Sequence, residues 1–204
     1  MSFYEKNMEA LKKHHPELVE MLESTVIGED RVNLFYAGSG EPRILFKKDD
    51  GEEVFIHSAD DPVKCANQAI ELIGRLEKEG VIVLFGFGLG YLAEELLKVI
   101  KDGHIIMVYE ATPALFKTAL KVRDLSDLLD NEKVKIVLGE DADNFYVIHS
   151  NYHHIVNGRF LVVKHHQSVK LNEKAYDRFY KRLLEEKRAG DTGVGTAIAL
   201  GKDF

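Results

Sequence analysis

Cys65 is the only cysteine in 204 residues, which excludes an internal disulfide. The N-terminus, Met1-Ser2-Phe3-Tyr4-Glu5-Lys6, lacks the apolar core of a secretory signal, so a reducing cytoplasm is the expected compartment. No run approaches the roughly 18 apolar residues of a membrane span, and no membrane partner is expected. Basic residues are outnumbered, 27 Lys and Arg against 34 Asp and Glu, for a formal net charge of -7. Phosphate backbones need a basic face, so nucleic acid is not expected as the main partner. The chain also lacks a Ser-His-Asp order, an HExxH pair, a P-loop lysine and paired zinc ligands. What is present is 45% hydrophobic and 30% charged residues, a globular balance with enough apolar material for a sizeable core.

The pattern along the chain predicts an α/β protein. Residues 1–25 read as two helices broken at His15-Pro16. Strands follow at 31–37, 43–47 and 53–57, the last two joined by the hairpin signal Lys48-Asp49-Asp50-Gly51. Residues 1–58 are thus expected to form a small unit of helices and an antiparallel meander. Asp60-Asp61-Pro62 starts a helix over 61–79, with Val63, Ala66, Ile70, Ile73 and Leu76 on one face and Gly80 at its end. Strands at 81–85, 104–109, 133–138 and 160–164 then alternate with helices at 90–101, 113–122, 125–130, 141–152 and 172–188. That alternation predicts a Rossmann-like, mostly parallel sheet over 59–188 with helices on both faces and strand 81–85 at its centre. Residues 189–204 read as a turn-rich linker or the start of a following domain, as in a piece of a longer protein.

Val81 to Glu110 is the most informative stretch. Val81-Ile82-Val83-Leu84-Phe85 runs into Gly86-Phe87-Gly88-Leu89-Gly90, then a helix, a second strand and Glu110. This is the order of nucleotide-binding βαβ units: glycines let the backbone approach a ligand, the helix N-terminus offers N–H groups, and the acid accepts ribose hydroxyls. The candidate binding residues are Gly86, Gly88, Gly90 and Glu110. The spacing is GxGxG rather than the dinucleotide GxGxxG, because Tyr91 fills the next position. It is nearer the first motif of S-adenosylmethionine-dependent methyltransferases, except that Leu84 stands where they carry an acid. A further acidic patch, Glu140-Asp141-Ala142-Asp143, follows the third strand. S-adenosylmethionine or a nucleotide sugar is the ligand such a turn would take. The bland alternative is that the glycines only allow tight strand–helix packing.

Other candidates are weaker. His149, His153 and His154 could share a helical face, but no acid or cysteine completes a metal site. His165-His166 reads as a solvated or loop-capping pair, Cys65 as a packing residue or a plain thiol, and Lys181 to Arg188 as a solvated helix face. No catalytic and no metal-ligating residue is assigned.

Three phrases together carry a family resemblance: His57-Ser58-Ala59-Asp60-Asp61-Pro62-Val63-Lys64, Leu84 to Leu96 with its glycine turn, and Val108-Tyr109-Glu110-Ala111 with Phe116, Ala119-Leu120, Asp124-Leu125 and Leu128-Leu129 after it. The opening Tyr4, Asn7, Leu11, His15-Pro16 and Leu18 fits as well. The set resembles the N-terminal domain of the motility accessory factor proteins, bacterial enzymes that attach nonulosonic acid sugars to flagellin. The resemblance implies a Rossmann-like module whose partners are flagellin or the rest of a full-length glycosyltransferase, with self-association open. It places the transferase chemistry in a following domain outside these residues, so no transferase residue carries over. Three functional classes stand: a non-catalytic module, a methyltransferase-like enzyme, and a nucleotide-sugar binding module.

Overall fold

The computed structural model describes residues 1–28, 30–73, 80–139, 159–190 and 197–198. The chain opens with two helices, α1 (Phe3–His14) and α2 (Glu17–Ser24). Ser2 and Glu5 form a reciprocal capping box at the start of α1, and Pro16 begins the second helix after a break at His15. Strands β1 (Val32–Tyr36), β2 (Pro42–Lys47) and β3 (Glu53–Ile56) follow as an antiparallel sheet in the order β1-β2-β3. His57, expected as the end of the third strand, lies outside it with φ 78°.

Helix α3 (Pro62–Ile73) is capped by Asp61, whose carboxylate accepts the Lys64 N–H at 2.9 Å. Ile70 and Ile73 are half-buried against the core; only Pro62 and Ala66 of this helix are fully buried. The predicted face is therefore right, but α3 packs chiefly on α4, as an outer layer. The expected end of this helix, including Leu76, lies outside the described residues.

The second sheet comprises β4 (Gly80–Phe85), β5 (His104–Glu110), β6 (Val134–Leu138), β7 (Arg159–Lys164) and the two-residue β8 (Ala197–Ile198). All its pairings are parallel, in the order β6-β5-β4-β7-β8. Between them come α4 (Tyr91–Val99), α5 (Pro113–Val122) and α6 (Ser126–Leu129), then α7 (His166–Leu171) and α8 (Glu173–Gly190) after β7. The helix expected over 172–188 is α8; the short α7 ahead of it was not expected, and Lys187 on the expected solvated face is buried.

Continuous apolar runs are what a sheet covered on both faces requires. Val81, Val83 and Phe85 join Met107, Tyr109 and Val162 against Ala175, Tyr176, Phe179 and Leu183 of α8. Their alternates Ile82, Leu84, Ile106, Val108 and Ile136 face α4, α5, the N-terminal helices and the meander. Among the described residues, no helix is long and apolar enough to cross a membrane.

The strand order reverses between β5 and β7 on either side of β4. In open α/β sheets the crevice at the carboxyl ends of the strands at such a switch point is where ligands bind. Phe85-Gly86 and Lys164-His165 stand on either side of it.

Candidate functional site

The glycine turn leaves β4 at this crevice, and Glu110 ends the neighbouring strand, as the spacing predicts. Gly86, Gly88 and Gly90 all have positive φ, at 86°, 58° and 89°. At Gly88 the absence of a side chain also permits a close approach: a Cβ there would lie 2.6 Å from His57 Nε2 and 2.9 Å from His165 Cε1. The space above the turn, which a cofactor would use, holds these two imidazoles.

Glu110 is fully buried and points back into the turn. Oε2 accepts the Phe87 N–H at 2.8 Å; Oε1 accepts the Thr112 N–H at 2.9 Å and the Tyr176 hydroxyl at 3.0 Å. Burial pushes its carboxyl up to about 7, against the lowering effect of the Phe87, Thr112, Tyr176 and Gly88 donors. Three further turn donors are also committed. The Gly86 N–H goes to Tyr109 O and the Gly90 N–H to Phe87 O, both at 2.9 Å, and the Leu89 N–H to His57 Nε2 at 2.7 Å.

The Leu89 contact fixes the state of a chain of side chains. A backbone N–H can only donate, so His57 Nε2 is unprotonated and the neutral ring carries its proton on Nδ1. That proton is donated to His165 Nε2 across 3.2 Å, which leaves the His165 proton on Nδ1, 2.7 Å from Ser168 Oγ. The Ser168 N–H also points at Nδ1 from 3.3 Å, but a protonated nitrogen cannot accept it; the shorter hydroxyl contact and the fixed donor at Leu89 decide the arrangement. Burial holds His57 well below the usual histidine range and His165 down at about 4, in keeping with two neutral rings. Ser168 is fully buried and accepts from the imidazole, so this is no activated nucleophile.

Further contacts bind the turn to the rest of the chain. The Tyr91 hydroxyl donates to Pro42 O at 2.9 Å, and its ring lies edge-on to His57. Arg123 stacks on the same ring at 3.8 Å and donates to Leu89 O and Glu94. Asn7 of α1, fully buried, joins Leu120 O, Arg123 O and the Leu125 N–H, fixing the turn that carries Arg123. Leu84, in the position of a methyltransferase acid, is buried in the core.

The glycines and Glu110 stand together at the crevice as the sequence places them; His57 and the inward position of His165 were not expected. The available signal was position: His57 stands between the third strand and the Asp-Asp-Pro helix start, where the chain must fold back. Cys65 is half-exposed and shares a pocket with both histidines. His149, His153, His154 and the acidic patch 140–143 lie outside the described residues. Among the described residues no group of three or more His, Cys, Asp or Glu side chains could hold a metal ion.

No curated protein matches this sequence. Among solved structures, a Maf glycosyltransferase from Magnetospirillum magneticum AMB-1 matches with TM-score 0.55 and 18% identity over 95% of this chain; the match spans 36% of that protein. Two others match at lower TM-scores: spermidine synthase from Thermotoga maritima (0.39, 10% identity, 82% of this chain and 74% of that one) and a protein-L-isoaspartate O-methyltransferase (0.36, 18% identity, 79% and 47%). The sequence profile of the Glycosyltransferase Maf N-terminal domain matches residues 52–189, from β3 through α8, and so takes in His57, the glycine turn, Glu110 and His165. With that match over most of its length, the chain belongs to the Maf glycosyltransferase N-terminal domain family.

Proposed function

We propose that this chain is the N-terminal module of a cytoplasmic glycosyltransferase that attaches nonulosonic acid sugars to flagellin, and that it supplies no catalytic group. Its task in this reading is to position the rest of the protein and its acceptor. One observation carries the reading: four of the five N–H groups of the 86–90 turn, those of Gly86, Phe87, Leu89 and Gly90, already have an acceptor within the protein. A turn that cradles a nucleotide must present donors and a strand-end acid to the crevice. Here the acid is spent on the turn itself, and two neutral imidazoles fill the approach to Gly88.

The test is made in the intact glycosyltransferase. Glu110→Gln leaves sugar transfer to flagellin unchanged, while removal of the whole module lowers modification of flagellin. Loss of transfer in a folded Glu110→Gln protein would overturn the reading in favour of a ligand-binding or methyltransferase-like site.

A further inference from the structure

Strand β1 is one edge of the antiparallel meander, and among the described residues it pairs only with β2. The Lys47 N–H donates to Arg31 O at 2.9 Å and the Ala37 N–H to Glu41 O at 2.8 Å. Successive residues of an antiparallel strand turn their hydrogen-bonding groups to alternate sides, so Arg31, Asn33, Phe35 and Ala37 face β2. Val32, Leu34 and Tyr36 therefore present their N–H and C=O groups to the free edge. The side chains are open as well: Leu34 is 46% exposed, Phe35 43% and Tyr36 69%. Free edges are ordinarily blunted by charge, proline or a bulge. The strand Val32–Tyr36 holds no charged residue and no proline, and its register with β2 runs without a bulge.

Three relationships single out the strand that fits. First, the edge is complementary to itself. A twofold axis at Leu34 sets it opposite the partner's Leu34, and Val32 opposite the partner's Tyr36. All three outward residues then form hydrogen-bonded pairs, with every N–H and C=O of the edge satisfied. Asn33 lies opposite the partner's Phe35, and the two Phe35 side chains become diagonal neighbours roughly 7–8 Å apart. They extend the edge-on pair that Phe35 makes with Phe55 in each chain. Second, charge selects this orientation. Parallel in-register pairing would set Arg31 against the partner's Arg31. The antiparallel one sets Arg31 against the partner's Ala37, and no row between them opposes like charges. Third, the assembly closes at two, because the other edge of the meander, β3, packs beside α7. Strand β1 lies ahead of residues 52–189, so the family match does not describe this edge.

We propose that this chain associates with a second copy of itself through β1, as a twofold dimer in which the two meanders join edge to edge into one continuous antiparallel sheet. The proposal does not depend on the module reading, which rests on the glycine turn of the other sheet.

Sedimentation velocity of the chain over a roughly hundredfold range of concentration reads the association, which follows mass action. The chain passes from monomer to dimer across the range. Leu34→Lys, which sets two lysines against each other across the axis, raises the dissociation constant by roughly tenfold or more. Cross-linking reads the register. It is done in a Cys65→Ser background, which removes the chain's only thiol. Leu34→Cys then puts two thiols on residues about 5.5 Å apart between Cα atoms, within disulfide reach. Tyr36→Cys puts them roughly 14 Å apart, four residues along the strand. Air oxidation therefore yields a covalent dimer from the first variant and none from the second on a non-reducing gel. The proposal is overturned if the chain stays monomeric throughout, which leaves the edge to a strand of another protein. It is overturned equally if Leu34→Lys dimerises as the wild type does, or if Tyr36→Cys cross-links as fast as Leu34→Cys.

Discussion

Tyr176 donates its hydroxyl to Glu110 across 3.0 Å, joining α8 to the acid that also holds the Phe87 N–H. The helix on one face of the sheet and the turn at its edge thus share one buried carboxyl. Burial raises the Tyr176 hydroxyl far above its usual range, and the adjacent carboxylate adds to the shift.

The first prediction concerns the pH dependence of that carboxyl. Its value is raised from 4.5 to about 7 on folding, so between those values the native state binds more protons than the unfolded chain. The Glu110 contribution to stability is therefore greatest at or below pH 4.5 and is lost as pH rises through 7. Denaturant melts of wild type and Glu110→Gln across this range should show their difference falling with pH, by on the order of 3 kcal/mol. A flat difference would mean that the carboxyl is not desolvated as the structure has it.

His57 and His165 act in the opposite direction. Both are held below 6.5 on folding, His165 at about 4. The unfolded chain binds the extra protons, so their contribution is complete above pH 6.5 and is lost as pH falls toward 4. Nitrogen-15 spectra of the imidazoles at pH 7 should show both rings neutral with the proton on Nδ1. A proton on His57 Nε2 would break the link to Leu89.

Glycine substitutions separate space from backbone conformation. Gly40 and Gly88 both have positive φ, but a Cβ at Gly40 meets nothing within 4 Å, whereas one at Gly88 would collide with His57. Gly40→Ala should cost about 1–2 kcal/mol from the left-handed backbone alone. Gly88→Ala should cost more, because His57 must also leave the Leu89 N–H. Equal costs in urea melts would show that His57 is not held over the turn.

For α3, the half-burial of Ile70 lowers the cost of Ile70→Ala below the roughly 2–5 kcal/mol of a fully buried isoleucine. Asp61→Ala should cost about 1 kcal/mol through loss of the cap on the Lys64 N–H. The expected order for Asp60→Ala is smaller still, since the Asp60 side chain makes no such bond to α3.

Much of this fold was legible because its strands announce themselves. Val81 to Phe85 is apolar throughout because both sheet faces are covered, and Asp61-Pro62 and Lys48 to Gly51 mark a helix start and a hairpin through local backbone chemistry. The short helix α7 was not legible, since His165-His166 after the strand read as a loop and six residues are too few to set a helical period. Nor was the orientation of Glu110: the strand period places it at the tip of β5, but whether it faces a crevice or its own turn depends on Tyr176, 66 residues away. The approach of His57 to His165 joins positions 108 residues apart, which no local pattern encodes.

The central claim is that the 86–90 turn is closed by the protein's own acceptors. Its most direct test is a titration of the nitrogen-15-labelled chain with S-adenosylmethionine and with CMP, following the amide signals of Phe87, Gly88 and Leu89. The account predicts that these signals keep their positions to millimolar ligand. Saturable shifts of these three amides, lost in Glu110→Gln, would contradict it.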